Sequence, residues 1–90
     1  MATIELDSTP RLRRGVRLTY DKTRETHVLL FPEGVLVPND TAAAVLQLCD
    51  GAATVAEITA ELGHKYEGVR VADVQAVLTR LAERRVVQWT

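Results

Sequence analysis

His27, His64 and Cys49 are the side chains best suited to chemistry, as metal ligands or, for Cys49, as a nucleophile. Zinc and related ions are held where such groups recur at close spacing on one element. No CxxC, HExxH or related spacing accompanies either histidine; His27 stands at a strand start and His64 in a loop. Cys49 falls on the apolar face of a helix, the place of a small buried hydrophobe. Glu33, Asp50 and Glu57 sit where turns and helix caps want carboxylates, not as an acid–base pair. The glycines form no phosphate-cradling pattern. The expectation is therefore no catalytic residue, no metal, no cofactor, and not an enzyme.

What remains is binding, and the elements that would position it. A chain of 90 residues makes one small domain, with a core but no deep cleft. Residues 1–10 are expected to be a flexible segment and 11–90 a single domain. Val16–Tyr20 alternates apolar and polar, as a half-buried strand does. Val28–Phe31 is continuously apolar and suits the centre of a three-stranded antiparallel sheet. Pro32-Glu33-Gly34 turns the chain into Val35-Leu36-Val37, which Pro38 stops. Proline cannot donate to a ladder, so this third strand reads as an edge, open to pairing with another chain.

The period then becomes helical. Asn39 or Asp40 caps a helix carrying Ala42, Val45, Leu46 and Cys49, ended by Asp50-Gly51. Thr54 to Glu57 matches a capping box, opening a helix with Val55, Ile58 and Leu62 on one face. Tyr66 is expected to pack inward from the loop that follows. The third helix runs from about Val71 to Arg84, with Val71, Val74, Leu78 and Leu81 as its inner stripe and Val77 beside it. The fold class is α+β: a small winged-helix-like domain, three strands and then three helices.

The net charge of −1 gives no overall field for nucleic acid. Arg11, Arg13, Arg14 and Arg17 nevertheless crowd together, either as a solvated face or as a patch for an acidic partner. The single cysteine excludes an internal disulfide, and no apolar run suits a membrane span or a signal peptide. A soluble cytoplasmic protein is expected.

Several pieces recur, in this order, in PqqD proteins: Arg14-Gly15-Val16-Arg17-Leu18, Tyr20-Asp21, Arg24, Val28-Leu29-Leu30, Pro32-Glu33, Asn39, Leu48-Cys49-Asp50-Gly51, Thr54-Val55-Ala56-Glu57-Ile58, Tyr66 and Asp73-Val74. The chain resembles that family over nearly its whole length from Pro10. The resemblance implies a peptide recognition element in pyrroloquinoline quinone biosynthesis. Such a protein binds the precursor peptide PqqA as an added strand and presents it to the radical SAM enzyme PqqE. It implies a site at Val35, Leu36 and Val37, walled by Val77 and Leu81 of the third helix, with Arg70 and Arg84 meeting acidic peptide side chains. Arg84-Arg85-Val86 departs from the family, in which a glycine often follows the third helix. Two other readings stand beside this one. One is a DNA-binding winged helix using Arg70, Arg80, Arg84 and Arg85. The other is a structural or oligomeric module, a homodimer exchanging a strand or helix across the open edge.

Overall fold

Pro32 and Glu33 reverse the chain so tightly that Phe31 and Gly34 become strand partners. Gly34 takes φ 150°, an angle glycine adopts readily and other residues avoid. The computed structural model describes residues 3–89. Its elements run β1 (Arg11–Leu12), β2 (Arg17–Asp21), β3 (Thr26–Phe31), β4 (Gly34–Leu36), α1 (Asp40–Gln47), α2 (Val55–Gly63), α3 (Val71–Glu83) and β5 (Val87–Gln88). The α+β class holds, with β2-β3-β4 an antiparallel meander followed by three helices. A second, two-stranded sheet joins β1 to β5 and was not legible as a strand pair in the sequence.

Register sorts the meander's side chains. Leu18, Leu29 and Leu36 stand level across the three strands, and all three join the core. Leu29 is fully buried and meets Val45, Val55, Ile58 and Leu78 in one cluster. Since side chains alternate along a strand, Leu30 and Val35 are partners on the opposite, outer face.

The first two helices start where their caps dictate. Asn39 Oδ1 accepts from the Ala42 N–H at 2.8 Å, opening α1. The Thr54 hydroxyl accepts from the Glu57 N–H, and the Glu57 carboxylate accepts from the Thr54 N–H, a complete capping box for α2. α1 stops at Gln47, so Cys49 lies just beyond the helix rather than on its face. Tyr66 is about half exposed, not packed inward.

The N-terminal segment is packed rather than loose from residue 4 on; Met1 and Ala2 lie outside the described residues. Ile4 is buried in the core, and its carbonyl accepts from Gln75 Nε2 at 3.2 Å. The carbonyls of Leu6, Ser8 and Pro10 accept from the N–H groups of Ala56, Val55 and Gly51. The segment thus straps the connection between α1 and α2, satisfying donors at a helix start that have no partner within the helix.

The exit from α3 resolves the departure at Arg85. The Arg85 N–H donates to Ala82 O at 2.9 Å and the Val86 N–H to Leu81 O at 3.2 Å. This is the paired-bond helix ending that normally uses glycine, with buried Val86 closing against Leu81. Arg85 takes φ 62° to make it. A left-handed angle costs a side-chain-bearing residue about 1–2 kcal/mol. Glycine's greater freedom in the unfolded chain returns part of that difference. Arg85→Gly is expected to stabilise the fold by about 0.5–1 kcal/mol, a rise in Tm of about 3–6 °C by calorimetry. An unchanged or lower Tm would refute this account of the helix end.

Candidate functional site

The β3–β4 hairpin decides which backbone groups face outward. Only two residues separate Phe31 from Gly34, so this pair must be one that exchanges its own hydrogen bonds; a non-bonded pair here would require Pro32 and Glu33, chain neighbours, to bond each other. Bonded and non-bonded pairs alternate, so Leu29 and Leu36 form the next bonded pair. The N–H and C=O of Leu36 therefore point into the sheet. Those of Val35, and of Val37 one alternation further on, point away from β3 along an open edge.

Side chains follow the same alternation. Leu36 turns inward onto the core, while Val35 and Val37 are 61% and 49% exposed. Leu30, level with Val35, adds its own exposed surface to the outer face. Three of the exposed large hydrophobics thus share one face beside one edge, an apolar grouping of the kind that marks an interaction site. Leu30 was not marked in the sequence, because a continuous apolar run covered on at least one face does not show which of its residues face outward. The two-residue turn, which sets Leu30 opposite Val35, is the signal that could have revealed it.

β2 is the other edge of the meander, but it carries Arg17 and Asp21 at its ends. Charged side chains blunt an edge against pairing. β4 has none.

The third helix contributes differently from expectation. Val77 and Leu81 are buried with Val74 and Leu78. An amphipathic helix buries a stripe wide enough to take in both i+3 and i+4 neighbours, so Val77 falls within the stripe and not beside it. These two residues anchor α3 and offer little surface of their own. Arg70 and Arg84 are exposed and cap opposite ends of α3, separated by about 20 Å at 1.5 Å per residue. Arg70 lies 3.9 Å from the Asp73 carboxylate. One acidic group cannot meet both arginines.

The groups suited to chemistry stay apart. Among the described residues no three of His, Cys, Asp or Glu gather as metal ligands. His27 packs edge-on against Tyr20, with ring centroids 5.2 Å apart. His64 caps the end of α2. Asp50 Oδ1 accepts from the N–H groups of Ala52 and Ala53, which hold its carboxyl below the usual range. The Cys49 thiol donates to Val45 O at 3.2 Å; burial, aided by the charge on Asp50, pushes its pKa up to about 12. A cleft of about 390 Å³ opens between α1, the α2–α3 loop and the start of α3, with Tyr66, Glu67 and Asp73 among its lining. It contains none of the residues expected to bind peptide.

The family model described as "Coenzyme PQQ synthesis protein D (PqqD)" matches residues 26–87. A "PqqA binding protein" of Rhodopseudomonas palustris (strain BisB5) is 44% identical over 85 residues, which are 91% of this chain and 83% of that protein. The "Bifunctional coenzyme PQQ synthesis protein C/D" of Methylorubrum extorquens is 45% identical over 82 residues, 88% of this chain but only 22% of that protein. Among solved structures, the solution NMR structure of the PqqD truncation of Methylobacterium extorquens PqqCD superposes with a TM-score of 0.74. It is 42% identical, covers 94% of each chain, and is described as a functional, stand-alone recognition element for ribosomally synthesised, modified peptides.

Two measurements check the local physics. In native-state hydrogen exchange, the amides of Val35 and Val37 should exchange quickly while those of Leu29 and Leu36 stay protected; equal protection would contradict the register. Cys49 should resist a thiol reagent at pH 8 in the folded chain and react once it unfolds. Its folded pKa is raised, so its contribution is intact below the ordinary value of 9.0 and is lost as pH climbs towards about 12. Rapid labelling of the folded chain would rule out the buried thiol.

Proposed function

The chain belongs to the PqqD family, and from that membership we propose that it is a non-catalytic chaperone for the precursor peptide PqqA in pyrroloquinoline quinone biosynthesis. It binds the peptide by strand addition along β4 and presents it to the radical SAM enzyme PqqE in the cytoplasm. The observation that carries this reading is the outward backbone of Val35 and Val37, bordered by exposed apolar side chains. Backbone pairing supplies affinity, and neighbouring side chains select the guest.

In this arrangement Val35, Val37 and Leu30 touch the peptide, and Leu36 locks the strand to the core. Val77 and Leu81 support α3 from within. Arg70 meets an acidic side chain of the peptide, whereas Arg84, about 20 Å away at the other end of α3, is not assigned to it. A peptide that orders on binding loses conformational entropy, so affinity falls at about micromolar or somewhat tighter. The same edge is open to a second copy of the chain, so binding is measured at concentrations where light scattering reports a monomer.

Val35→Pro and Val37→Pro each delete one outward donor and leave the Leu29–Leu36 pairing intact. Each should weaken PqqA binding in titration calorimetry by about tenfold, the scale of one hydrogen bond, with little change in Tm. If both variants fold and bind within twofold of the parent chain, the edge is not the site.

A further inference from the structure

The β1–β5 pairing gathers arginines from the two ends of the sequence. Arg11 and Leu12 pair with Gln88 and Val87, and the Arg13 N–H continues the ladder to Val86 O at 3.0 Å. Arg13 and Arg14 therefore lie beside Arg84 and Arg85. Arg80 stands one helical turn before Arg84 on the same flank of α3. All five are exposed. Among the described residues only Arg24 and Arg70 lie within 4.0 Å of a carboxylate. Glu83 and Glu33 are the acidic groups adjoining this end, and neither reaches an arginine at that distance. Much of the remaining acid, Asp40, Asp50, Glu57, Glu61, Glu67 and Asp73, belongs to α1, α2, the connections that follow them and the start of α3. A net charge of −1 thus conceals a separation of charge.

The negative end of the α3 dipole accounts for arginines at 80 and 84. It does not account for Arg13 and Arg14, which a different segment brings to the same place. Like charges held together without partners repel, and such a surface is complemented when another molecule supplies the opposite sign. Nucleic acid fits poorly, because arginines gathered at one end of a chain of net charge −1 form no extended basic stripe to follow a phosphate backbone. An acidic protein surface fits. Across the sheet the cluster is offset from the peptide edge: Arg17, which follows it, opens β2, two strand spacings or about 10 Å from β4, while Gly15 lies against Pro32 at the base of the β3–β4 turn.

We propose that Arg13, Arg14, Arg80, Arg84 and Arg85 form a docking surface for an acidic face of the enzyme that receives the peptide, so that enzyme and peptide are held together on separate sides. The proposal rests on the function given above. It is tested with the full chain, purified PqqE and PqqA, measuring enzyme affinity by interferometry and peptide affinity by calorimetry. Arg13→Glu/Arg14→Glu should weaken enzyme binding at least tenfold and flatten its salt dependence, with peptide affinity unchanged within twofold. Arg85→Gly, which removes one charge from a fold it stabilises, should weaken enzyme binding several-fold, so that loss of folding cannot explain the effect. Enzyme binding that ignores these substitutions, or ignores salt, overturns the proposal. So does tighter binding of a random DNA duplex than of the enzyme. A parent chain that binds the enzyme through these arginines but does not bind PqqA would instead sink the functional reading and leave the docking surface standing.

Discussion

The two-residue turn at Pro32 and Glu33 is the constraint on which the peptide edge depends. It forces the bonded pairs of the hairpin to fall at Phe31–Gly34 and Leu29–Leu36. From that choice follow the inward lock of Leu36, the outward backbone of Val35 and Val37, and the outer row of Leu30 and Val35. Because side chains alternate, a slip of one residue would send Leu36 to solvent and Val35 into the core. The fully buried Leu29, level with Leu18 and Leu36, holds the register from the other side. The edge is therefore specified twice, by turn chemistry and by core packing.

A second constraint closes the molecule. The N-terminal segment donates no periodic pattern of its own, yet its carbonyls satisfy the start of α2 and Ile4 plugs the core. β1 then pairs with β5, so the exit from α3 and the entry to the meander are tied. The left-handed Arg85 is the local cost of that tie, offset by the two hydrogen bonds and the Leu81–Val86 contact it permits.

Features set by near neighbours were readable in the sequence, and features set by distant partners were not. The capping box at Thr54, the Asn39 cap and the strands bounded by Pro32 and Pro38 follow from residues within a turn of one another. The burial of Val77 depends on how wide a stripe the rest of the core demands, and the packing of Ile4 depends on Gln75, far along the chain. The edge itself was legible from Val35-Leu36-Val37 and its prolines. Which of those residues face outward, and the part played by Leu30, required the register.

If the guest adds along β4 as proposed, the brevity of that strand sets how long it can stay. Two outward residues, Val35 and Val37, offer two donors and two acceptors. At about 1 kcal/mol net for each hydrogen bond, backbone pairing alone yields only a few kcal/mol. At micromolar affinity and an association rate of about 10⁶ M⁻¹s⁻¹, the residence time is about one second. A longer edge would grip a strand for minutes and stall whatever acts next. A three-residue edge would let each guest go in time for another.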